Sequence, residues 1–299
     1  MMPRGEEIMA RQGRGKRTKW GLKLCIILLT VGFLIPAPTP VLALNTDLAV
    51  GCTILGLLAT PLIGYGVYEN LPSRQGKERL LNGEFYAGGF LGAAFTPSQN
   101  LQYLSGVSLN QGVNGTTGKV TLFNNQFANA LTGGVKLGYF THAVPYLGLE
   151  VESCVNNSYV HRRTLSMSPA IQGATTGTVP NDFWINWTTA LHIVGRYGFL
   201  PDQEVPFGRL QPYVGIGPAF IVLYEEVDSA KNFGVDVMAG VRYMVLKNLS
   251  AFVEYKFNYQ WGPEIEDHAF YLPNGTACRN MATLDFANHK IVAGVAYHW

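Results

Sequence analysis

The chain has 299 residues, enough for one large domain or two small ones, with 47% apolar and only 14% charged residues, 34 glycines and 15 tyrosines. A soluble globular domain carries nearer a quarter charged residues, so this composition argues against an ordinary soluble fold. The formal charge of +2 does not imply a nucleic-acid partner: residues 1–43 hold seven of the 22 Lys and Arg and two of the 20 Asp and Glu, so the remainder carries 15 bases against 18 acids, a net of −3.

In chain order, Arg14, Lys16, Arg17, Lys19 and Lys23 precede an apolar run from Leu24 to Ile35, and Val41-Leu42-Ala43 follows with small residues at the −3 and −1 positions. This is the pattern of a secretory signal peptide over 1–43, because twelve apolar residues are too few to span a bilayer as a helix. Residues 48–68 are apolar as well, but Gly51, Gly56, Pro61, Gly64 and Gly66 make them a poor helix. They read as an apolar leader, with a weak lipoprotein-like box at Ala49-Val50-Gly51-Cys52 and a linker over 72–77, so that 44–82 has no assigned role. Once Cys25 leaves with the signal, Cys52, Cys154 and Cys278 remain. Cys154 with Cys278 offers one disulfide in an oxidising envelope, against the alternative that both stay free. No CxxC or Cys/His spacing points to zinc, and neither a metal nor a cofactor is expected.

From Gly83 onward the periodicity is two, the mark of a strand with different media on its two faces. In 249–261, Leu249, Ala251, Val253, Tyr255, Phe257, Tyr259 and Trp261 alternate with Ser250, Phe252, Glu254, Lys256, Asn258 and Gln260. The same parity holds in 183–199, 231–245 and 285–299, and in weaker form in 83–95, 129–140 and 146–159. Segment 211–226 is ambiguous, because Pro218 interrupts it and both faces are apolar near Ile221 to Leu223. Eight strands result, each long enough to cross a bilayer with tilt, whereas soluble strands average about 5 to 6 residues. Connections 141–145, 200–210 and 246–248 are short, 96–128, 160–182 and 262–284 are long, and only 228–230 breaks the alternation. This predicts an all-β fold, a transmembrane antiparallel up-and-down barrel over 83–299 in the bacterial outer membrane, with both barrel ends in the periplasm. A ten-strand reading would recruit 101–109 and 118–127 as an extra pair.

Aromatic residues on the apolar face sort to two levels. Phe85, Tyr139, Tyr197, Phe199, Tyr243, Tyr297 and Trp299 fall at the periplasmic rim, and Phe95, Tyr159, Phe183, Trp187, Phe233, Tyr259 and Trp261 at the outer rim. Two girdles are what a membrane with two interfaces selects. The polar face carries Glu84, Glu150, Glu152, Asp236 and Glu254 against Lys136, Arg196, Arg242, Lys256 and Lys290. That balance predicts a cross-linked polar core, the alternative being an ion path.

Phe85-Tyr86-Ala87-Gly88-Gly89-Phe90-Leu91-Gly92 resembles the first strand of the eight-stranded outer-membrane barrels of the OmpA and opacity-protein type. Pro212-Tyr213-Val214-Gly215-Ile216-Gly217, Ala239-Gly240-Val241-Arg242-Tyr243 and Phe252-Val253-Glu254-Tyr255-Lys256 resemble their later strands. The resemblance implies insertion among outer-membrane lipids by the barrel-assembly machinery, which would read a C-terminal strand ending on an aromatic such as Trp299. The barrel pattern runs to the last residue given, so the peptidoglycan-binding domain that some relatives carry is not expected. Function is less legible. His192 is the best candidate base, in mid-strand with Thr188 and no aligned acid, and the His-x-Ser pattern of the barrel lipid A deacylases occurs at none of the six histidines. Glu264, Glu266, Asp267 and His268 are of cation-binding type, against the simpler reading of a solvated loop, and 110–118 carries no catalytic spacing. Two readings stay open: a structural or surface-interaction barrel with its specificity in the long connections, and a lipid-modifying enzyme or small channel on the same scaffold.

Overall fold

Alternation over eight long segments folds into one closed antiparallel barrel in the computed structural model, which describes residues 83–103, 107–109, 113–116, 118–225 and 228–299. The signal peptide, the apolar leader and Cys52 lie outside the described residues. In chain order the first half comprises β1 (Gly83–Phe95), β2 (Gln99–Tyr103), β3 (Val107–Leu109), β4 (Val113–Thr116), β5 (Val120–Asn125), β6 (Ala130–Thr141), β7 (Leu147–Val160) and β8 (Arg163–Ile171). The second half comprises β9 (Ala174–Val179), β10 (Asp182–Arg196), β11 (Leu210–Tyr224), β12 (Ser229–Leu246), β13 (Leu249–Gln260), β14 (Glu264–Tyr271), β15 (Ala277–Thr283) and β16 (Phe286–His298).

The barrel closes in the order β1-β16-β13-β12-β11-β10-β7-β6. Its parity is visible in β13, where Ala251, Val253 and Tyr255 face outward while Phe252, Glu254 and Lys256 are buried inside. Pro218 does not break β11. It faces outward, and the β10–β11 pairing passes from Ala190↔Ala219 to Ile193↔Ile216, so the missing amide falls where that ladder is already interrupted. Gly138 shows why glycine is frequent here: a Cβ at this position would collide with the Tyr86 ring, which lies across the backbone from the facing strand.

The long connections are not loops. They form a second sheet, in which β2 pairs with β5 and β15, β5 with β8, β8 with β9, β9 with β14, and β14 with β15. These pairings close an upper ring of six strands, with the β3–β4 hairpin attached to β15. Each ring strand continues a barrel strand after a short break, and the ring keeps the barrel's order. β11 ends at Tyr224 and β12 begins at Ser229, close to the short connection 228–230 that broke the length alternation, so the barrel narrows there from eight strands to six. Segments 101–109 and 118–127 therefore contribute β2 and β5 to this ring, not a ninth and tenth strand to the membrane barrel.

Face polarity inverts between the two levels. Below, apolar residues point outward. In β8, by contrast, Thr164, Ser166 and Ser168 are exposed while Leu165 and Met167 are buried. Leu101, Tyr103, Val120, Leu122, Val179, Ile265, Phe270, Cys278 and Ala282 join them in one apolar core, which continues into the barrel through Trp184, Leu223, Ala230 and Phe286. The lower level is thus solvated by lipid and the upper level by water.

Candidate functional site

All ten charged residues of the polar face lie on barrel strands, but the structure groups them by level rather than as five pairs. At the short-turn end, Arg196 donates to Glu84 at 2.6 Å, His298 Nδ1 lies 2.5 Å from the other Glu84 oxygen, and the guanidinium of Arg196 rests 3.6 Å over the Phe140 ring. In the middle, Lys136 contacts Glu254 and lies 3.4 Å from Glu150 and 3.8 Å from Glu152. Lys256 donates to Glu152 at 2.7 Å and lies 3.9 Å from both Asp236 and Glu254. Tyr86 and Tyr213 donate to Glu150 and Glu254, each at 2.5 Å. The side chains of Lys136, Glu150, Glu254 and Lys256 are wholly buried, so each charge depends on these neighbours for the solvation that water would otherwise supply.

Two expectations need correction. Among the described residues Arg242 makes no direct ion pair with a carboxylate: it lies over the rings of Tyr86 and Tyr213, 4.3 and 5.3 Å from their centroids. Lys290 is buried in the lumen as expected, 3.1 Å from the sulfur of Cys154. His192 does have acids, because strand pairing sets Glu150 of β7 opposite it, 3.8 Å from its Nδ1, and the inner face of β12 brings Asp236 2.9 Å from its Nε2. Separations of 42 to 44 residues hid both partners from the sequence reading. Cys154 and Cys278 are both free and buried, one in the lumen and the other in the upper core, so they form no disulfide with each other. Burial pushes the Cys278 thiol up to about 11.

Above the charged level, Asn258 donates to Thr188, Thr188 to Asn186, and Asn288 to Thr96, each at 2.8 Å. Trp184 then stacks on Phe286 and meets Phe127 edge-on at 5.4 Å, where the upper core begins. Side chains therefore cross the lumen from one end to the other. Purified protein in planar bilayers is expected to be electrically silent, and steady, large conductance would contradict a filled interior.

The rim aromatics also cluster. Phe85 packs on Tyr139 at 4.6 Å and on Trp299 at 6.0 Å, Tyr297 on Trp299 at 6.4 Å, and Tyr197 on Phe199 at 4.9 Å. At the other level Tyr259 meets Trp261 at 5.3 Å, and Phe220 meets Phe233 at 5.6 Å. Tyr243 is exposed on the outer face, and the half-buried Trp187 donates to Ser153 at 2.8 Å.

In the last long connection, Glu264 and Glu266 face outward. His268 turns inward, with Nε2 3.2 Å from Glu225 and Nδ1 2.6 Å from the Tyr103 hydroxyl. Burial holds its imidazole well below the usual value, so the ring is neutral at pH 7. Asp182 completes this group, which no local sequence pattern announces.

A closed eight-stranded barrel with an apolar outer band and a charged interior is a transmembrane barrel of the bacterial outer membrane. No protein-family model and no curated protein matches the chain. Among solved structures it is similar to the outer-membrane protein OprG of Pseudomonas aeruginosa, with 13% identity over 73% of this chain and 97% of that one and a TM-score of 0.42. It is also similar to Neisserial surface protein A, with 13% identity over 71% and 96% and a TM-score of 0.36. The outer-membrane protease OmpT of Escherichia coli shares 13% identity over 72% and 97%, with a TM-score of 0.36.

Proposed function

We propose that this protein is a non-conducting membrane anchor that holds a rigid β-ring above the outer leaflet as a contact surface, and that it is not an enzyme. The observation that supports this reading most is the inversion of face polarity, which gives the long connections an apolar core of their own and a polar outer wall. Loops that only joined strands would need no such core. His192 and Asp236 stand against the enzyme reading, because both are sealed in the lumen where no substrate reaches them. In this proposal the lower wall meets outer-membrane lipid, and the barrel-assembly machinery engages β16 and the Trp299 that follows it.

The two-residue turn of Gln172 and Gly173, both at positive φ and exposed, joins β8 to β9 at the edge of the ring. An epitope inserted between them should be bound by antibody on intact cells. Binding only after permeabilisation would place the ring on the periplasmic side and overturn the proposal.

A further inference from the structure

We propose that Asp182, Glu225 and His268 form a site for one divalent transition-metal ion of the zinc class, at the seam where the barrel narrows from eight strands to six. Asp182 opens β10, Glu225 follows β11, and His268 lies on β14. The seam exists because β11 and β12 stop at this height, leaving β14 to reach across to β9 through a single residue pair, Tyr271↔Thr178. Backbone pairing in the upper ring is thinnest there, and the three side chains converge beside it.

One donor atom from each residue lies within 4.8 Å of the other two, so a common point lies within about 2.8 Å of all three, against ordinary zinc–oxygen and zinc–nitrogen distances of about 2.0–2.2 Å. Closing the difference takes less than about 1 Å of side-chain movement per ligand. The donor set is one imidazole nitrogen and two carboxylate oxygens. It has no thiolate for a soft ion and too few oxygens for calcium, and it leaves a fourth tetrahedral position for water.

Burial makes the site more than an acidic patch. Asp182, Glu225 and His268 are 9%, 4% and 4% exposed, beside Tyr103 and Trp184. Two carboxylates brought together beside aromatic rings repel one another, and a dication offsets that repulsion. The ligands are held from behind as metal ligands commonly are. Tyr103 occupies His268 Nδ1 and turns Nε2 toward the carboxylates, while the indole of Trp184 donates to Asp182 at 2.5 Å and the Phe183 amide at 2.7 Å. Each Asp182 oxygen keeps a second lone pair for the ion. Bound there, the ion ties β10, β11 and β14 together and stiffens the ring on which the proposed surface role rests.

The full-length protein, purified in detergent and stripped with a chelator, would be titrated with zinc by calorimetry and with cobalt by visible absorption. One zinc per chain should bind at micromolar affinity or tighter, and cobalt should show d–d bands without thiolate charge transfer. Zinc should also slow proteolysis within 261–285. Glu225→Gln and His268→Gln should each weaken binding by about 100-fold or more. Heat-modifiable gel mobility would confirm that each variant retains a folded barrel. If a variant does not fold, the wild-type stoichiometry and zinc-dependent protection decide alone. Absence of saturable binding by the wild type, or unchanged affinity in both folded variants, would overturn the site. A ring that binds zinc but carries an inaccessible epitope would leave the site standing and remove only the surface role.

Discussion

Lys256→Ala should destabilise the folded barrel by about 3 to 5 kcal/mol, the range for removing one partner from a buried ion cluster. The ammonium of Lys256 lies among Glu152, Asp236 and Glu254, none of which is accessible to water that could replace it. Urea titration in detergent micelles, followed by heat-modifiable mobility, would read the loss. A second variant separates charge from packing: Lys256→Met combined with Glu152→Gln removes both members of the closest pair while keeping most of the volume. It should lose less than Lys256→Ala alone, because the cost lies in the stranded carboxylate and not in the missing contact. If all three proteins unfold at the same urea concentration, the lumen is wetter than its packing implies.

Val253→Arg tests the opposite face. Val253 is 56% exposed on the outer wall of β13, with Val241 on β12 and Ala293 on β16 directly beside it. At the membrane midplane an arginine there costs about 2 to 4 kcal/mol, because the guanidinium must be drawn out of hydrocarbon or solvated by a local defect. Val253→Ser carries no charge and should cost less. Folding yield into lipid vesicles is the measurement, and equal yields for Val253→Arg and wild type would mean that this wall does not face lipid.

The lower barrel was legible because each of its strands separates two media, so every second residue reports the same side. Residues 249–261 show this most clearly, and even Pro218, which made 211–226 look broken, sits where its missing amide costs little. The upper ring obeys the same rule with the media exchanged. Thr164, Ser166 and Ser168 alternate with Leu165 and Met167, a signal present in the chain. That signal is weak, because strands of three to nine residues with hydroxyl-bearing outer faces look like polar loops beside spans of twelve or more.

Partners in the lumen belong to a different category. Sequence supplied the charged residues and their parity, since both are local properties of a strand. That Asp236 meets His192, that Arg242 lies on two tyrosine rings instead of a carboxylate, and that Asp182, Glu225 and His268 converge at one seam depend on the stagger of strands far apart in the chain and on the early ending of β11 and β12. Period-two alternation says which way a side chain points. Closure and stagger of the barrel decide which side chain it meets, because that distance is set across the sheet and not along the chain.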